Sequence, residues 1–235
     1  MNCEEKLEEL LKIYRKVALL SDKNGCKVLR IRHRELQKDL VLHILPPGNT
    51  VYETLCGIRC ENLPAVYDLF PLDDGTVVLE EYIDGLTVEQ VLETGRYRES
   101  GAVKVVQAVC NGLAVLHESQ IVHRDVKPEN ILIDKSGRVV LIDFNAARRI
   151  SAKSKDTVVM GTIGYASPEQ LGLTQSDART DIYAVGVLLN VMITGKHPSS
   201  QIARGRIGRI VRKCTGVNPN DRYQTAEKLI DALRN

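Results

Sequence analysis

Residues 121–133 read Ile121-Val122-His123-Arg124-Asp125-Val126-Lys127-Pro128-Glu129-Asn130-Ile131-Leu132-Ile133. A cluster of ionisable and amide side chains, Arg124, Asp125, Lys127, Glu129 and Asn130, lies between two apolar runs. Two short strands, 130–133 and 138–142, are expected on either side of the turn Asp134-Lys135-Ser136-Gly137. That hairpin leads into Asp143-Phe144-Asn145, and further on comes Gly161-Thr162-Ile163-Gly164-Tyr165-Ala166-Ser167-Pro168-Glu169.

Upstream of this stretch the chain is rich in expected strands. Leu7, Leu10, Leu11 and Tyr14 stand at helical spacing and predict a short amphipathic helix over 4–15. Val17–Leu20, Lys27–Ile31 and Asp39–Ile44 then read as strands, with a turn at Asp22-Lys23-Asn24-Gly25 and a stop at Pro46-Pro47-Gly48. A short helix is expected around 50–59, and strands at 65–70 and 76–81 flank the turn Asp73-Asp74-Gly75. Beyond Gly85 the periodicity becomes helical. Val88, Val91 and Leu92 predict one helix, Val105 to Leu116 a longer one over about 100–119, and the chain from about 179 reads as helices.

Composition narrows the function class. The 235 residues are 43% apolar and 26% charged, typical of a folded soluble chain. With no Trp and two Phe, the core must be built from Leu, Val and Ile. The net charge of +2 gives no support to a nucleic-acid partner, and none is expected. The longest apolar stretch, Ala184–Ile193, is interrupted by Gly186 and Asn190 and is far short of the ~20 residues of a membrane helix, so no membrane segment is expected. Met1–Lys6 is acidic and lacks a signal-peptide core, and Asn2 stands where myristoylation needs glycine. A cytoplasmic location is expected, and the six scattered cysteines read as reduced thiols.

His123-Arg124-Asp125-x-Lys127-Pro128-Glu129-Asn130, followed by Asp143-Phe144 and Ser167-Pro168-Glu169, resembles the protein kinase family. Seven fixed residues in eight match by chance roughly once in a billion start positions. The resemblance spans about residues 14 to 235. It implies an α+β, bilobal fold, with an antiparallel-sheet N-lobe at about 1–83 and a larger helical C-lobe at about 84–235. It also implies ATP and Mg2+ as nucleotide and cofactor, and a protein substrate.

The chemistry of phosphoryl transfer explains the spacing. A hydroxyl must be aimed in line at phosphorus, and cations must spread the charge. Asp125 can orient the hydroxyl and take its proton, and Lys127 can reach the transferring phosphate. Asn130 and Asp143 offer the hard oxygen ligands that magnesium prefers. His123 and Phe144 read as packing residues, and Glu169 with Arg222 resembles the buried ion pair that anchors a peptide-binding segment. Asp181 resembles the helix carboxylate that caps the catalytic-loop backbone. Lys127, and Gly161-Thr162 before Tyr165, favour the serine/threonine type. Small-molecule phosphotransferases share the Asp-and-Asn loop but lack the Ser-Pro-Glu segment. Arg124 and Arg148 can pair with a phosphate on the intervening loop, with Thr157 and then Ser154 as acceptors.

The N-terminal half departs from the family pattern. The phosphate-covering loop keeps only Gly25, one position out of register with Val28. His43 follows Val41-Leu42 at the position of the family's phosphate-binding lysine, and Glu53 is the expected helix glutamate partner. By the resemblance, the backbones of Glu81 and Ile83 hold adenine. Glu80 falls where the family places an apolar residue, and a carboxylate there needs a partner. Asn145 replaces a glycine and tolerates left-handed backbone. The reading is therefore an ATP- and Mg-dependent serine/threonine protein kinase. A pseudokinase acting as a nucleotide-binding or scaffolding module is its rival, and a small-molecule kinase is the third option.

Overall fold

A computed structural model describes residues 1–23, 25–150, 162, 164–171 and 176–234. The candidate acceptors Ser154 and Thr157, and the residues Asn24, Gly161 and Ile163, lie outside the described residues. The chain divides into two units. One comprises Met1–Cys60 and Pro64–Ile83, the other Glu61–Leu63 and Asp84–Asn235.

The first unit opens with helix α1, Cys3–Ile13. Its N-terminus is closed by a capping box: Asn2 Oδ1 accepts from the Glu5 amide at 2.8 Å, and Glu5 Oε2 accepts from the Asn2 amide at 3.0 Å. The helix stops two residues before the expected end because Tyr14 is already extended and opposite His33. Strands β1 (Tyr14–Lys23), β2 (Cys26–His33), β3 (Asp39–Leu45), β4 (Val66–Leu72) and β5 (Gly75–Glu81) form an antiparallel sheet in the order β1-β2-β3-β5-β4. Strand period two divides the sheet into two faces. On one, Leu29, Ile31, Leu42, Val77 and Leu79 pack with Cys3 and Leu10 of α1. The opposite face carries Val28, Val41, His43, Val78 and Glu80, and is approached by the five-residue helix α2, Val51–Leu55.

The β1–β2 hairpin explains the poverty of glycine. Lys23 pairs with Cys26, so only residues 24 and 25 join the strands. Gly25 has φ 75°, the left-handed geometry that such two-residue turns demand. Two irregularities, at Lys16/Ala18 and Leu19/Ser21, bend the edge strand β1.

In the second unit, β6 (Gly85–Thr87) leads to α3 (Val88–Thr94) and α4 (Glu99–Glu118). Then come β7 (Ile121–Val122), a 3-10 turn at Pro128–Asn130, β8 (Ile131–Asp134), β9 (Val139–Leu141) and β10 (Arg148–Arg149). The strands pair as β6-β8-β9 and as β10-β7. Helices α5 (Ala178–Thr194), α6 (Gly205–Cys214) and α7 (Ala226–Arg234) complete the unit. α5 is buried on nearly all sides, as its run of apolar residues requires. Gly186 lets α6 approach it, since a Cβ there would stand 2.3 Å from the Cys214 Cβ. Among the described residues no helix is long and apolar enough to cross a membrane.

Candidate active site

Strand β7 delivers the chain into the loop 123–127, and the Pro128–Asn130 turn takes it out into β8. Arg124 sits at φ 69°, an uncommon conformation for a residue with a Cβ. Asp181, on the first turn of α5, holds the strained peptide in place. Its Oδ2 accepts from the His123 amide at 2.9 Å and its Oδ1 from the Arg124 amide at 2.8 Å. His117 of α4 donates through Nε2 to Asp181 Oδ2 at 2.8 Å. From the other side, Gln170 Nε2 donates to the Arg124 carbonyl at 2.8 Å. Three side chains, Asp181, His117 and Gln170, thus fix one bend of backbone through four hydrogen bonds.

Both ring nitrogens of His123 are occupied. Nδ1 accepts from the Asp125 amide at 3.3 Å, and Nε2 donates to the Ile142 carbonyl at 3.1 Å. That pattern fits the neutral imidazole with its proton on Nε2. The ring lies edge-on to Phe144 at 5.4 Å. His123 and Phe144 therefore join the loop to the hairpin that follows it, as packing residues do.

Asp125 is the centre of the polar cluster. Its Oδ1 accepts from the Thr162 hydroxyl at 2.7 Å, and its Oδ2 accepts from Asn130 Nδ2 at 2.9 Å and faces Lys127 Nζ at 2.8 Å. Lys127 also donates to Thr162 Oγ1 at 2.8 Å, and Asn130 to the Asp125 carbonyl at 2.8 Å. Burial pushes the Asp125 carboxyl up, but the hydrogen bonds from Lys127 and Thr162, the Lys127 charge and the Asn130 bond outweigh it. The net value lies below the usual carboxylate range. Asp125 is ionised at neutral pH and held in one orientation. Asn130 spends its amide hydrogens on Asp125, so its carbonyl oxygen remains as the group it can offer a cation.

Asp143 follows β9 and is half-buried, with Oδ1 accepting from the Asn145 amide at 3.1 Å. The left-handed residue here is Asp143, at φ 68°, and not Asn145. The tolerance expected of Asn145 is thus used two residues earlier. The donor set suits magnesium in kind: one carboxylate and one amide carbonyl, both hard oxygens. Among the described residues no three His, Cys, Asp or Glu side chains form a metal cage. A cation held here would need oxygens from its ligand.

Glu169, beside Ser167 and Pro168, is paired with Arg222. Arg222 is 2% exposed and donates through both terminal nitrogens to Glu169, at 2.6 and 2.9 Å. It also bonds the carbonyls of Gly216, Arg179 and Val217. Burial pushes the Glu169 carboxyl up, and Arg222 more than reverses it. Arg148 lies opposite Val122 in the β10–β7 pair, and Arg124 is 6% exposed.

In the first unit His43 is 5% exposed on β3. Glu53 is exposed on α2, whose single turn presents Tyr52 to the imidazole instead, at 5.4 Å between ring centroids. The carboxylate next to His43 belongs to Glu80, with Nε2 to Oε1 at 3.2 Å. The Glu81 amide donates to the Ala65 carbonyl at 2.8 Å, and Ile83 is buried at the end of the unit.

Sequence reasoning missed His117, Gln170 and the pairing of Glu80. The first carries no local signal, since its partner Asp181 lies 64 residues away.

The family model for the protein kinase domain matches residues 49–233. The chain is 30% identical over 194 residues to the serine/threonine-protein kinase PrkC of Bacillus subtilis, covering 72% of this chain and 30% of that protein. It is 42% identical over 139 residues to PknL of Mycobacterium tuberculosis, 58% of this chain and 35% of the relative. PknB of Mycobacterium leprae is 32% identical over 199 residues, 72% of this chain and 32% of the relative. The chain thus spans about a third of the length of these curated relatives.

Proposed function

The chain belongs to the protein kinase family, and from that premise we propose that it transfers the γ-phosphate of ATP to serine or threonine hydroxyls of protein substrates. The observation that carries this reading is Asp125: ionised, and fixed by Lys127, Asn130 and Thr162. Its carboxylate orients the incoming hydroxyl and receives the proton as the new O–P bond forms and the bond to the β-phosphate oxygen breaks. Lys127 supplies a positive charge to the transferring phosphoryl group. Asn130 and Asp143 hold the magnesium, which when bound neutralises charge on the nucleotide phosphates. The backbones of Glu81 and Ile83 hold the adenine, and His43 faces the phosphates.

The serine/threonine preference rests on Thr162, which bridges Asp125 and Lys127 beside the Ser167-Pro168-Glu169 segment. Arg124 and Arg148 are the proposed receivers of a phosphate on Thr157 or Ser154. Six cysteines outside any disulfide fit a reducing, cytoplasmic setting.

Magnesium-dependent ATP turnover, with and without a generic basic protein substrate, tests the reading. Asp125→Asn is expected to lower kcat by about 10²–10⁴-fold. Equal rates in the two proteins, or no turnover in either, would count for the non-catalytic alternative.

A further inference from the structure

The family's ion pair joins a strand lysine to a glutamate on a mobile helix, and helix position controls activity through it. In this chain the strand residue is His43 and the helix glutamate, Glu53, is exposed. We propose that Glu80 has taken over the role. It is a positioning residue that holds His43 by Nε2 and so presents Nδ1, as an imidazolium donor, to a nucleotide phosphate. The proposal rests on the kinase reading for the identity of the ligand, and on the β3–β5 register for the pair itself.

The register makes the pair a property of the sheet. His43 lies opposite Val78, and Val41 opposite Glu80, so His43 and Glu80 are diagonal neighbours on one face. They meet at 3.2 Å, and both are over nine-tenths buried. A buried carboxylate is costly unless paired. The other titratable and charged groups on this face are few. Tyr52 of α2 lies tilted against the ring, at 44° between planes, and β2 places Val28 opposite His43. Arg30, two residues along β2, is engaged by Asp39 and lies over the Tyr82 ring at 4.2 Å. Among the described residues, His43 is the charged or titratable group that contacts Glu80.

Two atoms of the pair remain. His43 Nδ1 and Glu80 Oε2 are buried and have no hydrogen-bond partner among the described residues. With Nε2–H committed to Glu80, Nδ1 accepts in the neutral ring and donates in the protonated one. A phosphate oxygen only accepts, so it pairs with the ring that donates at both nitrogens. Such second partners fix ring tautomer and orientation in other histidine sites. Because both residues lie on neighbouring strands, the pair forms whatever α2 does.

The test compares wild type, Glu80→Gln, Glu53→Gln and His43→Lys in the full chain, by pH–rate profile with Mg-ATP and a generic protein substrate. Dividing each profile by that of His43→Lys removes the titration of shared groups. The wild-type ratio is expected to rise by about tenfold from pH 8 to pH 6, as imidazole gains its proton. Glu53→Gln should keep the rise and Glu80→Gln should lose it. The loss should fall on kcat/KM for ATP and spare KM for the protein substrate, which a loosened fold would not do. The His43 ring proton, assigned by its disappearance in His43→Asn, gives a readout without turnover. Mg-ATP should shift it in wild type and Glu53→Gln but not in Glu80→Gln. That pattern without turnover in any protein would sink the kinase reading and leave Glu80 in its role. Effects seen with Glu53→Gln instead, or none with Glu80→Gln, would overturn the inference. Should Glu80→Gln not fold, a wild-type ratio flat against His43→Lys would overturn it equally.

Discussion

In the proposed reading Asp143 serves backbone and metal binding together. At φ 68° it occupies a region that Asn and Asp enter more readily than other side chains with a Cβ. Its Oδ1 closes a short turn onto the Asn145 amide. An asparagine can adopt the same φ and keep the same acceptor, but it lacks the charge that a divalent cation requires. Asp143→Asn is therefore expected to leave thermal unfolding nearly unchanged while abolishing magnesium-dependent nucleotide binding. Calorimetric titration with ATP, with and without magnesium, reads this directly, and an unchanged Mg-ATP affinity would remove Asp143 from the metal role. Asp125 would not tolerate exchange so quietly, because three side chains converge on it.

At the scale of elements, strand and helix were legible wherever periodicity was strong. The strands expected at 76–81 and 39–44 are β5 and β3 within a residue or two, and the helix expected over 100–119 is α4. Glu169 with Arg222, and Asp181 under the loop, were legible because the motif fixes their identity. The pairing of Glu80 was not. It depends on the register between β3 and β5, which no local pattern records, and a one-residue slip would send Glu80 to the other face. Glu53 misled for a related reason, since a helix of one turn has no periodicity to show which side is buried. The Glu169–Arg222 pair allows an expectation with a sign. Its carboxyl is held below the ordinary glutamate value of 4.5, so wild type keeps this stabilisation at neutral pH and loses it only as pH falls through the lowered value. Arg222→Met removes the cation, and burial then pushes the same carboxyl up. The variant should lose about 3–5 kcal/mol at pH 7 and regain part of it by pH 5, as Glu169 takes a proton. Urea midpoints at the two pH values check this. A gap that stays constant would mean that the lost carbonyl bonds of Arg222, and not the stranded charge, carry the cost.

At the scale of the whole molecule, the thiols report on each unit separately. None of the six cysteines is in a disulfide. Cys3 is buried in the first unit, where burial and its hydrogen bond with Asp74 push its thiol up to about 11. Cys110 and Cys214 are fully buried in the second, and burial pushes both well above the ordinary range. Cys26, Cys56 and Cys60 are partly exposed. Alkylation needs an accessible thiolate. Iodoacetamide at about pH 8 is therefore expected to modify the native protein only at these last three, and all six sites after denaturation. Intact-mass and peptide analysis across a urea series gives two curves, one from Cys3 and one from Cys110 and Cys214. Each curve measures the opening of its own unit, because a buried thiol reacts only when the structure around it opens. Coincident midpoints would mean that the units unfold as one cooperative body, and separated midpoints that each is stable alone. Rapid labelling of Cys214 in the native protein would contradict its packing against Gly186.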